Sequence, residues 1–185
     1  MVFFEDALNT VLSQPFNIIG ERVGLSDSLG RVLAEDLFSD MDMPPFDKSA
    51  VDGFACRMAD LHTAAGSQHI VSLHIIETIP AGTAPLKTIM PGECSKIMTG
   101  AMVPSGADCV IMVEDTEMVS ETMVRIRPEN TGTNVCYRGE NIRLMDRVLQ
   151  KGLRITPAHV AIMASVGAIN PGGKASGSGH HLYRG

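Results

Sequence analysis

The sequence predicts a mixed α/β protein, mainly β, whose largest part is a small barrel or sandwich. Short apolar or alternating segments, typical of strands, recur between residues 53 and 137 and are separated by turns rich in Pro and Gly. Helical signals are strongest near the two ends of the chain. An apolar fraction of 44% in 185 residues is enough to form a core and excludes a disordered chain.

Three segments carry the strand prediction. Residues 70–75 alternate between apolar and polar after the first residue, and residues 123–127 alternate again. Residues 109–113 form a continuous apolar run, which is typical of a strand buried on both faces. The predicted turns between such segments lie at residues 80–83, 91–92, 104–106 and 129–132.

The N-terminal segment predicts an amphipathic helix of roughly three turns. Glu5 and Asp6 lie in its first turn, where the helix dipole favours acids, and Gln14-Pro15 ends it. Residues 17–25 are predicted as a short strand, and residues 26–34 as a brief helical turn. The apolar side of the helix needs a partner and consists of Phe4, Ala7, Leu8, Val11 and Leu12.

A second helix is predicted near the C-terminus. Thr156 is a suitable N-cap, Pro157 suits the first helical position, and Gly167 suits the position after the last turn. Residues 171–185 are linker-like and low in apolar content, so they are predicted to be a flexible tail, natural or added during cloning.

Composition excludes several functional classes. The formal charge of −6 argues against nucleic-acid binding, because phosphate contacts require a basic face, and an anionic substrate would need locally placed donors or a metal ion. No apolar run approaches the roughly 20 residues that cross a bilayer, and no signal-peptide pattern is present. The cysteines lack C-x-x-C spacing and are expected to be reduced and mostly buried. The expected location is cytoplasmic.

The segment PPFDKSAVDGFA, residues 44–55, is the most informative part of the chain. Its prolines hold the backbone extended, and Asp52-Gly53 is typical of a turn in which Gly53 adopts a positive φ. We expect a stiff loop that presents short acidic side chains. Asp47 is expected to make structural hydrogen bonds, because an acid before a turn commonly bonds nearby backbone.

This segment resembles the PPFD-x-SA-x-DG-[FY]-A signature of the MoeA family, the molybdenum-inserting enzymes of molybdenum-cofactor biosynthesis. The run KIMTGAMVPSGAD, residues 96–108, is similar to the family's RIMTGA-x-VP-x-GAD, and RGENI, residues 138–142, is similar to RGED-[IV]. The motifs occur in the family's order, and the resemblance extends from about Glu5 to Gly167. It implies the N-terminal region of a molybdopterin molybdenumtransferase.

The resemblance implies an arrangement of domains and an activity. A β-domain, residues 42–137, would be inserted into a linker and dimerisation domain that contains the N-terminal helix and is formed by residues 1–41 and 138–170. The family inserts molybdenum from molybdate into adenylylated molybdopterin with the help of Mg²⁺. It works as a homodimer in which this β-domain closes over the pterin-binding domain of the other subunit. Since that C-terminal domain is missing here, the chain is expected to be inactive alone.

The resemblance also implies site residues. Asp52 and Thr99 are the predicted catalytic residues: a carboxylate is a hard ligand suited to Mg²⁺, and a Thr hydroxyl can hydrogen-bond an oxyanion. Backbone N–H groups of the loop that begins at Thr99 are also candidates to face an anion. Asp52 is the predicted metal ligand. The predicted substrate-binding residues are Ser49, Gly100, Glu140 and Asn141.

Two positions depart from the family pattern. Asn141 stands where family members commonly have an acid, so a cation would be held more weakly or by Glu140. Lys48 stands where many members have Asn, which argues against a direct chemical role for it. Two other functions stay open: a non-catalytic scaffold and dimerisation module, and a hydrolase that uses Asp47 and Asp52 in a closed pocket.

Overall fold

The computed structural model describes residues 3–13, 20–62, 70–127, 132–167 and 181–183. Strands outnumber helices in these residues, so the chain is mainly β, as predicted. The helices are α1 (Phe4–Leu12), α2 (Met58–His62) and α3 (Pro157–Ser165). The strands are β1 (Gly20–Arg22), β2 (Val32–Leu33), β3 (Leu37–Phe38), β4 (Lys48–Ser49), β5 (Gly53–Cys56), β6 (Val71–Ile79), β7 (Glu93–Ile97), β8 (Cys109–Met112), β9 (Thr116–Ser120), β10 (Met123–Ile126), β11 (Val135–Cys136), β12 (Arg147–Leu149) and β13 (His181–Tyr183).

The chain divides into two compact units. One comprises Met1–Asp40 and Leu144–Gly185, and the other comprises Met41–Arg143. In the first unit, β13 lies between β1 and β2 in an antiparallel sheet, and β3 pairs with β12. The sequence did not predict a strand within the C-terminal tail, and residues 171–180 lie outside the described part of the chain. Buried residues of this unit include Leu33, Leu37, Leu149, Ile155, Met163 and Val166.

The second unit contains a six-stranded sheet with the order β8-β5-β7-β6-β10-β9. Strands β6 and β7 are parallel, and the other neighbours are antiparallel. Because β8 and β9 form the two edges instead of pairing with each other, the sheet is an open, curled half barrel. One buried cluster includes Phe54, Cys94 and Ile111 and a second includes Ala55 and Val110, so neighbouring residues of β5 belong to different clusters.

The structure confirms the strands predicted at residues 70–75, 109–113 and 123–127 as β6, β8 and β10. It adds β7, β9 and the short helix α2 to a region that was expected to be entirely strands and turns. β9 is an edge strand whose side chains are almost all exposed, so it has little of the apolar signal that reveals a strand.

The helical turn predicted at residues 26–34 is wrong beyond Asp27. A 3-10 turn at Leu25–Asp27 is followed by strand β2. The Gly30 N–H donates to the Ile155 carbonyl at 2.9 Å, and the Leu33 N–H donates to the Leu153 carbonyl at 2.9 Å. Pairing with a segment more than a hundred residues away therefore overrides the local helical preference.

The helix at the C-terminal end begins and ends as predicted. The Thr156 hydroxyl accepts from the His159 N–H at 3.4 Å, and His159 Nδ1 accepts from the Thr156 N–H at 3.2 Å. Pro157 is the first residue of α3, and Gly167 follows the helix at a φ of 72°. In contrast, α1 buries none of its residues, and Phe4 is 75% exposed. No helix in the described residues is long and apolar enough to span a membrane.

The cap at Thr156 gives a first stability prediction. Replacing Thr156 with alanine should lower the free energy of unfolding by about 1 kcal/mol, because the His159 N–H loses its acceptor. Urea denaturation followed by circular dichroism measures the change. The control is Thr83→Ala at an exposed turn, which should unfold as the wild type does. Equal midpoints for the two variants would contradict the prediction.

Candidate functional site

Asp52 and Thr99 lie in direct contact, although they are 47 residues apart in the chain. The Thr99 backbone N–H donates to Asp52 Oδ1 at 2.7 Å, and the Thr99 hydroxyl donates to the same oxygen at 2.6 Å. Both side chains are exposed. The structure therefore brings the two predicted catalytic residues together as one acid–hydroxyl pair.

The central strands of the six-stranded sheet position this pair. Asp52 immediately precedes β5 and Thr99 follows β7 by two residues, and these strands pair with Gly53 opposite Ile97. On the other side, the Val113 N–H donates to the Asp52 carbonyl at 3.1 Å and extends the pairing of β5 with β8. The pair thus lies where the ladders of three strands end.

Thr99 lowers the pKa of Asp52. The hydroxyl of Thr99 makes the largest contribution and its backbone N–H the next, while desolvation opposes them weakly. Asp52 Oδ2 accepts no hydrogen bond from any described residue. Asp52 is therefore an ionised carboxylate with one oxygen held and the other open to a ligand. The single hydroxyl proton of Thr99 is committed to Asp52, so Thr99 orients the carboxylate and does not donate to an oxyanion in this arrangement.

The prediction of a positive φ at Gly53 is wrong. Gly53 is buried within β5 and is not among the residues with positive φ. A Cβ at this position would collide with the carbonyl oxygen of Ile111 in β8, lie 2.8 Å from its carbonyl carbon, and lie 3.2 Å from Val110 Cγ1. Glycine is required here because two backbones approach closely, a tertiary constraint that the Asp-Gly turn pattern does not reveal.

Ser49 and Gly100 are held together through backbone hydrogen bonds. The Gly100 N–H donates to the Ser49 carbonyl at 2.8 Å, and the Ser49 N–H donates to the Ala101 carbonyl at 2.9 Å. The Ser49 hydroxyl is buried and donates to the Val51 carbonyl at 2.5 Å. The N–H groups of Thr99 and Gly100 are therefore both used internally and do not face an anion, contrary to the sequence-based expectation.

Glu140 and Asn141 lie on a separate turn. Glu140 Oε2 accepts from the Tyr137 N–H at 2.8 Å, and the Asn141 N–H donates to the Met43 carbonyl at 3.0 Å. Both residues are exposed, and no hydrogen bond within the described ranges joins them to Asp52 or Thr99. The structure thus positions these two predicted ligands through contacts different from those of the catalytic pair.

Asp47 makes the structural hydrogen bond that was expected, but its partner is distant in sequence. Asp47 Oδ1 accepts from the Arg138 N–H at 2.7 Å and so ties the start of the 44–55 segment to the turn that carries Glu140. Asp47 and Asp52 are each bonded to a different loop and do not form a carboxylate pair. Their exposure gives no support to a hydrolase with a closed pocket.

A Mg²⁺ ion would find one suitable ligand atom at this site. The described residues contain no group of three or more His, Cys, Asp or Glu side chains that could hold a metal. Asp52 Oδ2 is nevertheless open and charged, and Mg²⁺ is commonly bound by one or two carboxylates together with water and substrate phosphates. The site therefore fits a weakly held Mg²⁺ whose remaining ligands come from water and from the substrate.

A second prediction concerns the Asp52 pKa. Thr99→Val should raise it towards the ordinary value, because the larger of the two hydrogen bonds is lost while the backbone bond remains. The depressed pKa means that Asp52 stabilises the fold above the ordinary carboxyl pKa and that this contribution is lost as pH falls through the folded-state pKa. A carbon-13 NMR titration of the Asp52 carboxyl measures the shift, with Thr78→Val as control. An unchanged titration in Thr99→Val would refute the assignment.

The fold and the site define a mainly β protein with an acid–hydroxyl pair at the end of an open sheet. A model of the MoeA N-terminal region (domain I and II) matches residues 2–167. The molybdopterin molybdenumtransferase of Staphylococcus epidermidis is 39% identical to this chain over 164 residues. The enzyme of the same name from Staphylococcus aureus is 36% identical to this chain over 163 residues. The crystal structure of a molybdopterin biosynthesis MoeA protein from Pyrococcus horikoshii superposes with a TM-score of 0.80 at 37% identity.

The chain therefore belongs to the MoeA family, as its motifs predicted, and corresponds to the N-terminal region of that family. Each staphylococcal match covers 88% of this chain but 39% of the relative. The structural match covers 92% of this chain and 43% of the Pyrococcus chain. The chain thus spans about two-fifths of the length of these relatives.

Proposed function

We propose that this chain is the N-terminal part of an enzyme that inserts molybdenum from molybdate into adenylylated molybdopterin. The observation that carries the proposal is the contact between Asp52 and Thr99, which leaves one carboxylate oxygen charged and open at the end of the sheet. The relatives named molybdopterin molybdenumtransferase support the same reaction. The chain alone is expected to be inactive, since it spans 39% of those relatives.

The reaction requires two anions to be neutralised and aligned, which is chiefly a matter of positioning and electrostatics. Asp52 is the proposed Mg²⁺ ligand, and Mg²⁺ would supply positive charge to the oxyanions. Thr99 is the proposed positioning residue, because its hydroxyl and N–H fix the direction of the carboxylate and keep it ionised. Glu140 and Asn141 are proposed substrate-binding residues on the neighbouring turn, and Ser49 and Gly100 act through the backbone pairing that holds the Thr99 loop.

The remaining parts of the enzyme are assigned by the same proposal. Residues 42–137 form the proposed β-domain with the Asp52–Thr99 pair, and residues 1–41 and 138–170 form the linker and dimerisation domain. The turn with Glu140 and Asn141 follows this β-domain in the chain and belongs to the same compact unit, Met41–Arg143. In a cytoplasmic homodimer, the pterin-binding domain of the second subunit would close over the exposed Asp52–Thr99 pair. The apolar side of α1 supports a dimerisation role for the domain that contains it, because Phe4 and Val11 are 75% and 60% exposed.

A scaffold role is the second candidate, and a specific observation favours it. The Ser49 hydroxyl and the Asp47 carboxylate are both used in internal hydrogen bonds, as expected if the 44–55 segment were purely architectural. Asp52 distinguishes the two candidates because one of its carboxylate oxygens is left open.

Complementation tests the proposed function. The chain would be joined to the C-terminal region of the Staphylococcus epidermidis relative and expressed in a bacterium that lacks its own MoeA protein. The fusion should restore molybdoenzyme activity, whereas the 185-residue chain alone should not. The complete staphylococcal protein is the positive control. A soluble, folded fusion without activity, or activity from the chain alone, would argue against the proposal.

A further inference from the structure

Lys96 is a half-buried lysine with no partner among the described residues. It lies in β7, opposite Phe54 in β5 and Thr78 in β6. Its ammonium makes no hydrogen bond or ion pair with any residue that the structure describes, whereas Lys87 donates to the Ile76 carbonyl at 2.6 Å. An ammonium without a counter-charge in the protein can bind an anion without first breaking an ion pair.

The face of the sheet on which Lys96 lies follows from the alternation of the strand. Cys94 is two residues earlier in β7 and belongs to the same buried cluster as Phe54. Residues two apart share a face, as do directly opposed residues of neighbouring strands, so Lys96 lies on the side of this cluster. Its aliphatic stem can pack along the cluster while the ammonium extends towards the end of the sheet.

That end of the sheet carries Asp52. Because Gly53 is opposite Ile97, continuing the antiparallel register places Asp52 opposite Met98 and diagonal to Lys96. Diagonal neighbours on one face are about 7–8 Å apart, which is within reach of a long side chain. Lys96 and Asp52 nevertheless form no ion pair in the structure, so neither the ammonium nor Asp52 Oδ2 is neutralised by the other.

The other donors of this site are already in use. The N–H and hydroxyl of Thr99 both bind Asp52, and the N–H of Gly100 binds the Ser49 carbonyl. An anion that binds beside Asp52 therefore needs a different donor and a positive charge. The need is stronger because the chain carries a formal charge of −6.

We infer that Lys96 binds the tetrahedral oxyanion at the Asp52–Thr99 site. This inference rests on the proposed function and assigns a role to a residue of its site. The ammonium supplies three donors and a full positive charge, which suit molybdate and a phosphate group equally. The ligand is thus a tetrahedral oxyanion, with molybdate itself or the phosphate of the adenylyl group as its source.

Direct binding measurements test the inference on the 185-residue chain. Sodium molybdate and, separately, adenosine monophosphate are titrated in buffer containing Mg²⁺, with calorimetry for affinity and the Thr99 amide NMR signal for location. Lys96→Met should weaken binding of the oxyanion about tenfold or more, and Lys96→Arg should recover most of the affinity. Whichever probe depends on Lys96 identifies the source of the oxyanion.

Lys48→Met is the matched control, because Lys48 is also half-buried and without a partner among the described residues, but lies in β4. It should bind both probes as the wild type does. The inference fails if the wild type shows no saturable binding at millimolar concentrations, if Lys96→Met binds both probes normally, or if only Lys48→Met is impaired. Lys96→Gln replaces Lys96→Met should the latter unfold. Affinity does not depend on turnover, so failed complementation and failed binding are separate outcomes.

Discussion

Gly53→Ala is expected to lower the free energy of unfolding by roughly 3 kcal/mol or more. The added Cβ would collide with the Ile111 carbonyl oxygen and lie 2.8 Å from its carbonyl carbon, and neither atom belongs to a side chain that can rotate away. Relief therefore requires β5 and β8 to separate, although β5 is an inner strand of the sheet. In a domain of about 100 residues this corresponds to a fall in melting temperature of about 15 °C.

Thermal and urea denaturation of the whole chain measure the effect. Gly132→Ala is the control in the same unit, since Gly132 has an ordinary φ and the nearest atom of a described residue lies 3.7 Å from its added Cβ. That variant should melt within a few degrees of the wild type. If Gly53→Ala also did so, the close approach of β5 and β8 would not be the reason for glycine at this position.

The parts of the fold that the sequence predicts well are those governed by neighbours in the chain. Helix α3 begins at the Thr156 cap and ends before Gly167, because capping depends on residues within one turn. Strands β6 and β8 were visible as an alternating and a continuous apolar segment. Strand β2 was not, because its conformation depends on pairing with residues 153–155.

The sequence predicts which residues form the candidate site but not their hydrogen-bond partners. The motifs brought together Asp52 and Thr99, and the structure places them 2.6 Å apart through the hydroxyl. They could not reveal that the Thr99 hydroxyl and both nearby N–H groups are committed to internal bonds, since those partners depend on tertiary structure. The sequence gives no reason to single out Lys96, the first residue of the KIMTGA motif, as a binding residue. Its lack of a partner is visible only in the fold.

Asp52→Asn should reduce the rate of molybdenum insertion about 100-fold or more in the fusion with a pterin-binding domain. The amide retains Oδ1, so it can still accept from the Thr99 N–H and hydroxyl and preserve the loop. It loses the negative charge and offers Mg²⁺ a weaker ligand. The melting temperature should fall only slightly, because the exposed Asp52 carboxylate contributes little to stability, while turnover falls and the Mg²⁺ requirement rises.

Asp47→Asn is the matched control for this variant. Asp47 is also an exposed aspartate of the 44–55 segment, but its Oδ1 accepts from the Arg138 N–H, a structural bond that an amide oxygen can preserve. Turnover of this variant should stay within about threefold of the wild type, since neutral and charged acceptors of one N–H differ modestly. If both variants retained full turnover, or if both lost stability with intact kinetics, the scaffold function would be the correct one. If Asp52→Asn alone loses turnover and melts close to the wild type, the reaction depends on the Asp52 charge far more than the fold does, and that is the distinguishing property of a catalytic carboxylate.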